Sequence, residues 1–128
     1  MLQITFEGTV FSGNGEGKKF VSLLWVKRQI REKLGFTPYA GTLNIRLTDE
    51  NSKRKKLLEK AEKFEIKPEE GFCTGYLVKA KICGLCCGVI VPQVPSYPVN
   101  VLEVVAAWNL RERLKLVDGG EVCVLVTV

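Results

Sequence analysis

Gly35-Phe36-Thr37-Pro38-Tyr39-Ala40-Gly41-Thr42-Leu43-Asn44-Ile45 joins a helix stop, a rigid turn and the start of a strand without a spacer. Gly35 closes an apolar helical pattern and suits the left-handed position after a helix end, where a side chain would be strained. Pro38 fixes its own φ and drives Thr37 toward extended backbone. Beyond the turn, Leu43, Ile45 and Leu47 share one face of a strand. Thr42 and Asn44 therefore project from the other face, about 7 Å apart by strand rise. Two neutral side-chain oxygens so placed either cap a turn or ligate a metal, and the segment alone leaves both readings open.

Upstream, Leu23, Val26, Ile30 and Leu34 recur at helical spacing, which predicts an amphipathic helix over 22–34 with Ser22 as its N-cap. Before it lies Ser12-Gly13-Asn14-Gly15-Glu16-Gly17-Lys18-Lys19, a loop with glycine at every second position. Such a loop either makes a hairpin turn or brings bare N–H groups to phosphate oxygens; it matches neither the Walker spacing nor the dinucleotide fingerprint. Leu2 to Val10 alternates as a strand with Leu2, Ile4, Phe6, Gly8 and Val10 on one face.

Downstream, 49–65 is dense in charge, and Leu57, Leu58, Ala61 and Phe64 are spaced for a second helix. Lys53-Arg54-Lys55-Lys56 is either a nucleic-acid patch or a solvated face; no aromatic residues interleave the cations, which favours the solvated face. Residues 72–83 alternate again, with Phe72, Thr74, Tyr76, Val78, Ala80 and Ile82 on one side. Cys83-Gly84-Leu85-Cys86-Cys87-Gly88 then turns the chain into Val89-Ile90-Val91-Pro92. The Cys-x-x-Cys spacing carries little weight as a zinc site, which needs four ligands, because there is no second such pair. Residues 99–106 read as an apolar strand interrupted by Glu103, a carboxylate that becomes a candidate base if it faces a cleft. Trp108 to Leu114 reads as a short helix, Asp118-Gly119-Gly120 as a turn, and 121–128 as a last strand with Val122, Val124, Val126 and Val128 aligned.

Short strands with two or three intervening helices and no regular strand-helix alternation predict a mainly β fold, a barrel rather than a parallel sheet. The 128 residues are expected to form a single domain. A 46% hydrophobic, 26% charged composition excludes a disordered chain, and no apolar run has the length of a bilayer span. The opening residues lack signal-peptide character, so a cytoplasmic protein is expected. Five cysteines in a reducing compartment are read as thiols. The absence of histidine removes Ser-His-Asp and Cys-His catalysis together. A net charge of +5 favours a polyanionic partner without choosing between nucleotide and nucleic acid.

Taken together, Ser12-Gly13-Asn14-Gly15-Glu16-Gly17, the segment from Gly35 to Asn44, Glu103 followed by Ala106-Ala107-Trp108-Asn109-Leu110-Arg111, and Asp118-Gly119 resemble, in order and spacing, the archaeal CTP-dependent riboflavin kinases. The resemblance covers essentially the whole chain, and Gly-Phe-x-Pro-Tyr-x-Gly-Thr-Leu-Asn is its most specific part. It implies a six-stranded Greek-key β-barrel of the cradle-loop type, in a free-standing form without a helix-turn-helix domain. It also implies transfer of the γ-phosphoryl of CTP to the ribityl 5'-hydroxyl of riboflavin, giving FMN and CDP, with Mg²⁺ as cofactor. Residue by residue, it implies that Gly13, Asn14, Gly15, Glu16, Gly17 and Lys18 wrap the nucleotide while Trp108, Asn109, Leu110 and Arg111 hold its cytidine end. Thr42 and Asn44 then bind Mg²⁺, and Glu103 meets the ribityl chain as the catalytic residue. Relatives tend to carry a hydroxyl residue before that glutamate, and Ser96 of Pro95-Ser96-Tyr97 is expected to make the flavin contact. A monomer without membrane or nucleic-acid partners is expected. The rival reading is a non-catalytic nucleic-acid-binding barrel that uses Lys53 to Lys56 and the basic helix from Lys27 to Lys33.

Overall fold

The structure, a computed structural model, describes residues 3–69, 71 and 74–127. Its strands are β1 (Gln3–Phe11), β2 (Leu43–Leu47), β3 (Lys63–Ile66), β4 (Gly75–Ile82), β5 (Leu85–Pro92), β6 (Val101–Val105) and β7 (Glu121–Thr127). Four short helices accompany them: α1 (Glu16–Ser22), α2 (Leu24–Leu34), α3 (Asp49–Arg54) and α4 (Leu110–Arg113). Every pairing is antiparallel, and the order β1-β2-β6-β5-β4-β7 returns to β1, which closes a six-stranded barrel. β4, β5 and β6 follow one another, and β7 comes back beside β4, the strand order of a Greek key. β3 stands outside the ring. It pairs with β4 along 75–78, while the same edge of β4 pairs with β7 along 80–82.

Alternation decides what fills the barrel. Ile4, Phe6, Val10, Leu43, Ile45, Val89, Leu102, Val104, Val124 and Val126 point inward and are buried there. A second cluster, Val21, Trp25, Val26, Ile30, Ile66, Leu77, Ile90 and Val105, lies outside the ring where α1 and α2 cover the sheet. β4, β5 and β6 are thus apolar on both faces over part of their length, which is why their sequences read as runs rather than clean alternation.

Three expectations need correction. Residues 49–65 are not one helix: α3 ends at Arg54, a 3-10 turn follows over Lys55–Lys60, and Phe64 belongs to β3. Pairing of Lys63–Ile66 with β4 overrides the helical spacing of Leu57, Leu58, Ala61 and Phe64. Second, the glycine-rich stretch is only half a loop, because α1 begins at Glu16 behind Gly15 in the left-handed region (φ 86°). Third, Ser22 is not an N-cap; its Oγ donates back to the Lys18 carbonyl at 2.6 Å, and α2 starts after Leu23 without a side-chain cap. Gly35, by contrast, ends α2 in the left-handed conformation expected of it (φ 81°), its N–H donating to the Arg31 carbonyl.

Cys83 and Gly84 both have positive φ and form the two-residue hairpin turn between β4 and β5. The strand has already restarted by Cys86 and Cys87, which therefore fall on opposite faces: Cys86 is exposed, whereas Cys87 is buried and its thiol pushed up to about 12, chiefly by burial. Among the described residues no group of three or more His, Cys, Asp or Glu side chains is placed to hold a metal ion. Leu2, Phe72, Cys73 and Val128, which the sequence places in strands, lie outside the described residues. Among the described residues no helix is long and apolar enough to cross a membrane.

Candidate active site

Thr42, Asn44 and Glu103 meet on the outer face of β2 and β6. With Leu43, Ile45, Leu102 and Val104 turned into the barrel, Asn44 and Glu103 are left outside, directly opposite each other in the β2–β6 register. Thr42 Oγ1 donates to Glu103 Oε1 at 3.1 Å, and the Tyr97 hydroxyl donates to Oε2 at 2.5 Å. Each hydroxyl commits its single O–H to a hydrogen bond with the carboxylate, so what it offers a ligand is lone pairs. Burial, followed by the hydrogen bond and charge of Glu103, pushes the Tyr97 phenol well above its ordinary value, so it remains a donor through the physiological range.

α1 lies across this cluster, and its approach depends on missing side chains. A Cβ on Gly17 would overlap Thr42 Oγ1 and come within 2.7 Å of Glu103 Oε1; one on Gly13 would lie 2.7 Å from Asn44 Nδ2. Only glycine lets the backbone of 13–17 pass this close to the polar trio. Gly41 answers to its backbone instead: φ is 153°, and a Cβ there would meet nothing closer than the Tyr39 ring at 3.5 Å.

Two cavities border Glu103, one on the side of Thr42 and Asn44. A polar one of about 300 Å³ runs between Ser12–Gly15 with Gly17 and Lys18, residues 39–44 and Trp108–Arg111. An apolar one of about 510 Å³ is walled by Phe20, Leu23, Ile90, Pro92, Val94 and Tyr97. Gly17 and Glu103 line both. The rim of the polar cavity is tied by Arg111 Nη2 to Asp118 Oδ1 at 2.7 Å and by Ser12 Oγ, which donates to both Asp118 oxygens at 3.0 and 2.9 Å. These hydrogen bonds from Arg111 and Ser12 hold the Asp118 carboxyl below its usual range. Tyr39 joins the rim through its N–H to the Ala106 carbonyl (2.8 Å) and its hydroxyl, which accepts from Asn109 Nδ2 (3.3 Å).

Of the residues expected at the site, Gly13, Asn14, Gly15, Gly17, Lys18, Thr42, Asn44, Glu103, Trp108, Asn109, Leu110 and Arg111 all line the polar cavity. Glu16 lines the apolar one, with an exposed side chain 3.7 Å from Lys19. Ser96 lines neither cavity and is exposed on its loop; the neighbouring Tyr97 supplies the hydroxyl near Glu103. Tyr97 and Tyr39 are the residues sequence reasoning missed. Both sit in irregular loops, where no periodicity says which way a side chain points. Lys53 to Lys56 and the basic positions from Lys27 to Lys33 line neither cavity.

The donor set limits what metal fits here. Thr42 and Asn44 are neutral oxygen donors beside one carboxylate, and the Gly13 backbone lies against Asn44. This suits a hard divalent cation that takes its remaining oxygens from phosphates and water, and does not suit zinc, whose sites are built from thiolates and imidazoles.

A closed antiparallel barrel with a polar and an apolar cavity that share one carboxylate has the form of a small-molecule-binding domain with two candidate ligand sites. Residues 10–126 match the family model for CTP-dependent riboflavin kinases, described as domain of unknown function DUF120, and the chain belongs to that family. It is 39% identical over 123 residues to a riboflavin kinase of Archaeoglobus fulgidus, covering 91% of this chain and 52% of the relative. A riboflavin kinase of Ignicoccus hospitalis is 37% identical over 127 residues, covering 96% and 71%. One of Methanocorpusculum labreanum is 34% identical over 129 residues, covering 97% and 58%. The chain thus spans little more than half the length of two of these three relatives.

Proposed function

We propose that this protein transfers the γ-phosphoryl group of CTP to the ribityl 5'-hydroxyl of riboflavin, giving FMN and CDP. The observation that carries the reading is the shared wall: Glu103 borders both a polar cavity suited to a nucleotide and an apolar cavity suited to a tricyclic ring. Family membership supplies the two substrates. In this reading Gly13–Lys18 and Trp108–Arg111 hold the nucleotide, the apolar cavity takes the isoalloxazine, and Tyr97 rather than Ser96 contacts the ribityl chain.

Thr42 and Asn44 would hold Mg²⁺, which when bound neutralises phosphate charge as the β–γ bridge breaks. Glu103 accepts a hydrogen bond from the 5'-hydroxyl, aims it at the γ-phosphorus and takes its proton as the new O–P bond forms. Lys18 supplies charge to the phosphates. Phosphoryl transfer asks for positioning and electrostatics more than covalent chemistry, so a chain without histidine is adequate to it. A cytoplasmic, monomeric enzyme completes the reading.

The test is direct. Purified protein with riboflavin, Mg²⁺ and CTP is expected to form FMN, and ATP to substitute poorly. Failure to form FMN with any nucleoside triphosphate overturns the assignment.

A further inference from the structure

Lys55 is the only member of the Lys53-Arg54-Lys55-Lys56 run that is not exposed. Its position is built rather than incidental. The preceding α3 is latched to β1: buried Asn51 accepts the Glu7 N–H at 3.0 Å and donates through Nδ2 to Thr48 Oγ1 at 2.7 Å, while Arg54 donates to the Thr5 carbonyl at 3.2 Å. From that anchored base Lys55 Nζ donates to the carbonyls of Val101 (2.8 Å) and Pro98 (3.5 Å), the two ends of the turn that links Tyr97 to β6. The ammonium lies 5.1 Å from the Tyr97 ring centroid, within cation–π reach. The Tyr97 hydroxyl in turn holds Glu103 Oε2. Lys55 makes no salt bridge among the described residues. Burial lowers its pKa, with the charge of Glu103 opposing that shift.

We propose that Lys55 is a positioning residue for the transfer step, acting through Tyr97 on Glu103. It clamps the 98–101 turn and the Tyr97 ring, so that the phenol fixes one carboxylate oxygen and leaves Glu103 aimed at the incoming hydroxyl. This rests on the reading of Glu103 as the hydroxyl's acceptor. Neither Lys55 nor Tyr97 lines the polar cavity, so nucleotide affinity is not part of their role.

Steady-state kinetics of the full chain test the relay. Lys55→Met and Tyr97→Phe are each expected to lower kcat roughly tenfold with the KM for CTP held within about twofold, the scale of coupling between contacting residues. Lys55→Arg, which keeps the cation, restores most of the loss. In the Glu103→Gln background neither substitution lowers the residual rate further. A wild-type kcat in Lys55→Met, or an equal additional loss in the Glu103→Gln background, overturns the relay. If Glu103→Gln itself turns over normally, the acceptor role falls and the relay with it; if only the Lys55 and Tyr97 variants do, the relay alone fails. Should circular dichroism show that Lys55→Met is unfolded, Tyr97→Phe and Lys55→Arg decide the question.

Discussion

The two faces of β2 differ in almost everything except position. Leu43 and Ile45 enter a barrel interior that, among the described residues, holds hydrocarbon and the Cys87 thiol, whereas Asn44, between them, faces Glu103 and the glycine backbone outside. The interior supplies stability through burial; the outer face, where α1 closes over Asn44 and the hydrogen-bonded Thr42–Glu103 pair, carries the candidate site. A barrel of this size is too full inside for ligands, so its sites form where a helix and loops lean against the outer wall.

That contrast makes predictions that separate function from stability. Asn44→Ala is expected to abolish FMN formation and to weaken nucleotide binding mainly when Mg²⁺ is present, with an unchanged denaturation midpoint; retained turnover would remove Asn44 from the metal site. Gly17→Ala forces α1 away from Thr42 and Glu103, and turnover is expected to fall on the order of a hundredfold, as for a misplacement of about 1 Å. An unaffected rate would mean that α1 is free to shift without consequence. Ile45→Val, one residue from Asn44 but inside the barrel, is expected to cost about 0.5–1.5 kcal/mol in urea unfolding while leaving kcat and KM alone. A kinetic effect there would show that the two faces are mechanically coupled.

The smallest effect concerns the rim. Because the Asp118 carboxyl is held below its ordinary value in the folded chain, its ties to Arg111 and Ser12 are present above the unfolded carboxylate range and are lost as pH falls through the lowered value. Asp118→Asn is therefore expected to melt slightly below wild type near neutral pH, with the gap closing in acid and in high salt, since the group is solvent-exposed. A gap that persists in acid would assign the difference to something other than ionisation.

Much of this arrangement was legible in the pattern of residues. Strict alternation in β1 and β7, the Gly35 stop and the inward triplet of β2 follow from side-chain period and φ preference. Short, locally ambiguous segments were not legible. Gly15-Glu16-Gly17 looks too glycine-rich for a helix, yet α1 forms because Val21 buries against α2 and the sheet. Lys63-Phe64-Glu65-Ile66 has helical neighbours and becomes a strand only because the edge of β4 is there to receive it. The meeting of Thr42 with Glu103 depends on β2–β6 register, a long-range pairing that no local pattern encodes; resemblance to a family pointed to it, and Tyr97 escaped even that.

β4 lends one edge to two strands, β3 for half its length and β7 for the rest. The ring is therefore sealed by a contact between strands distant along the chain, and β7 must also find β1. Such pairings incur loop-closure entropy before any burial offsets it, which sets folding on a millisecond-to-second scale rather than the microseconds of a helical bundle. No local fragment contains the polar cleft, since its walls come from β2, β6, the segment after β1, the turn before β2 and the segment after β6. The cleft is thus expected to form late in folding, and if the proposed nucleotide and flavin bind there they are expected to slow unfolding more than they speed folding.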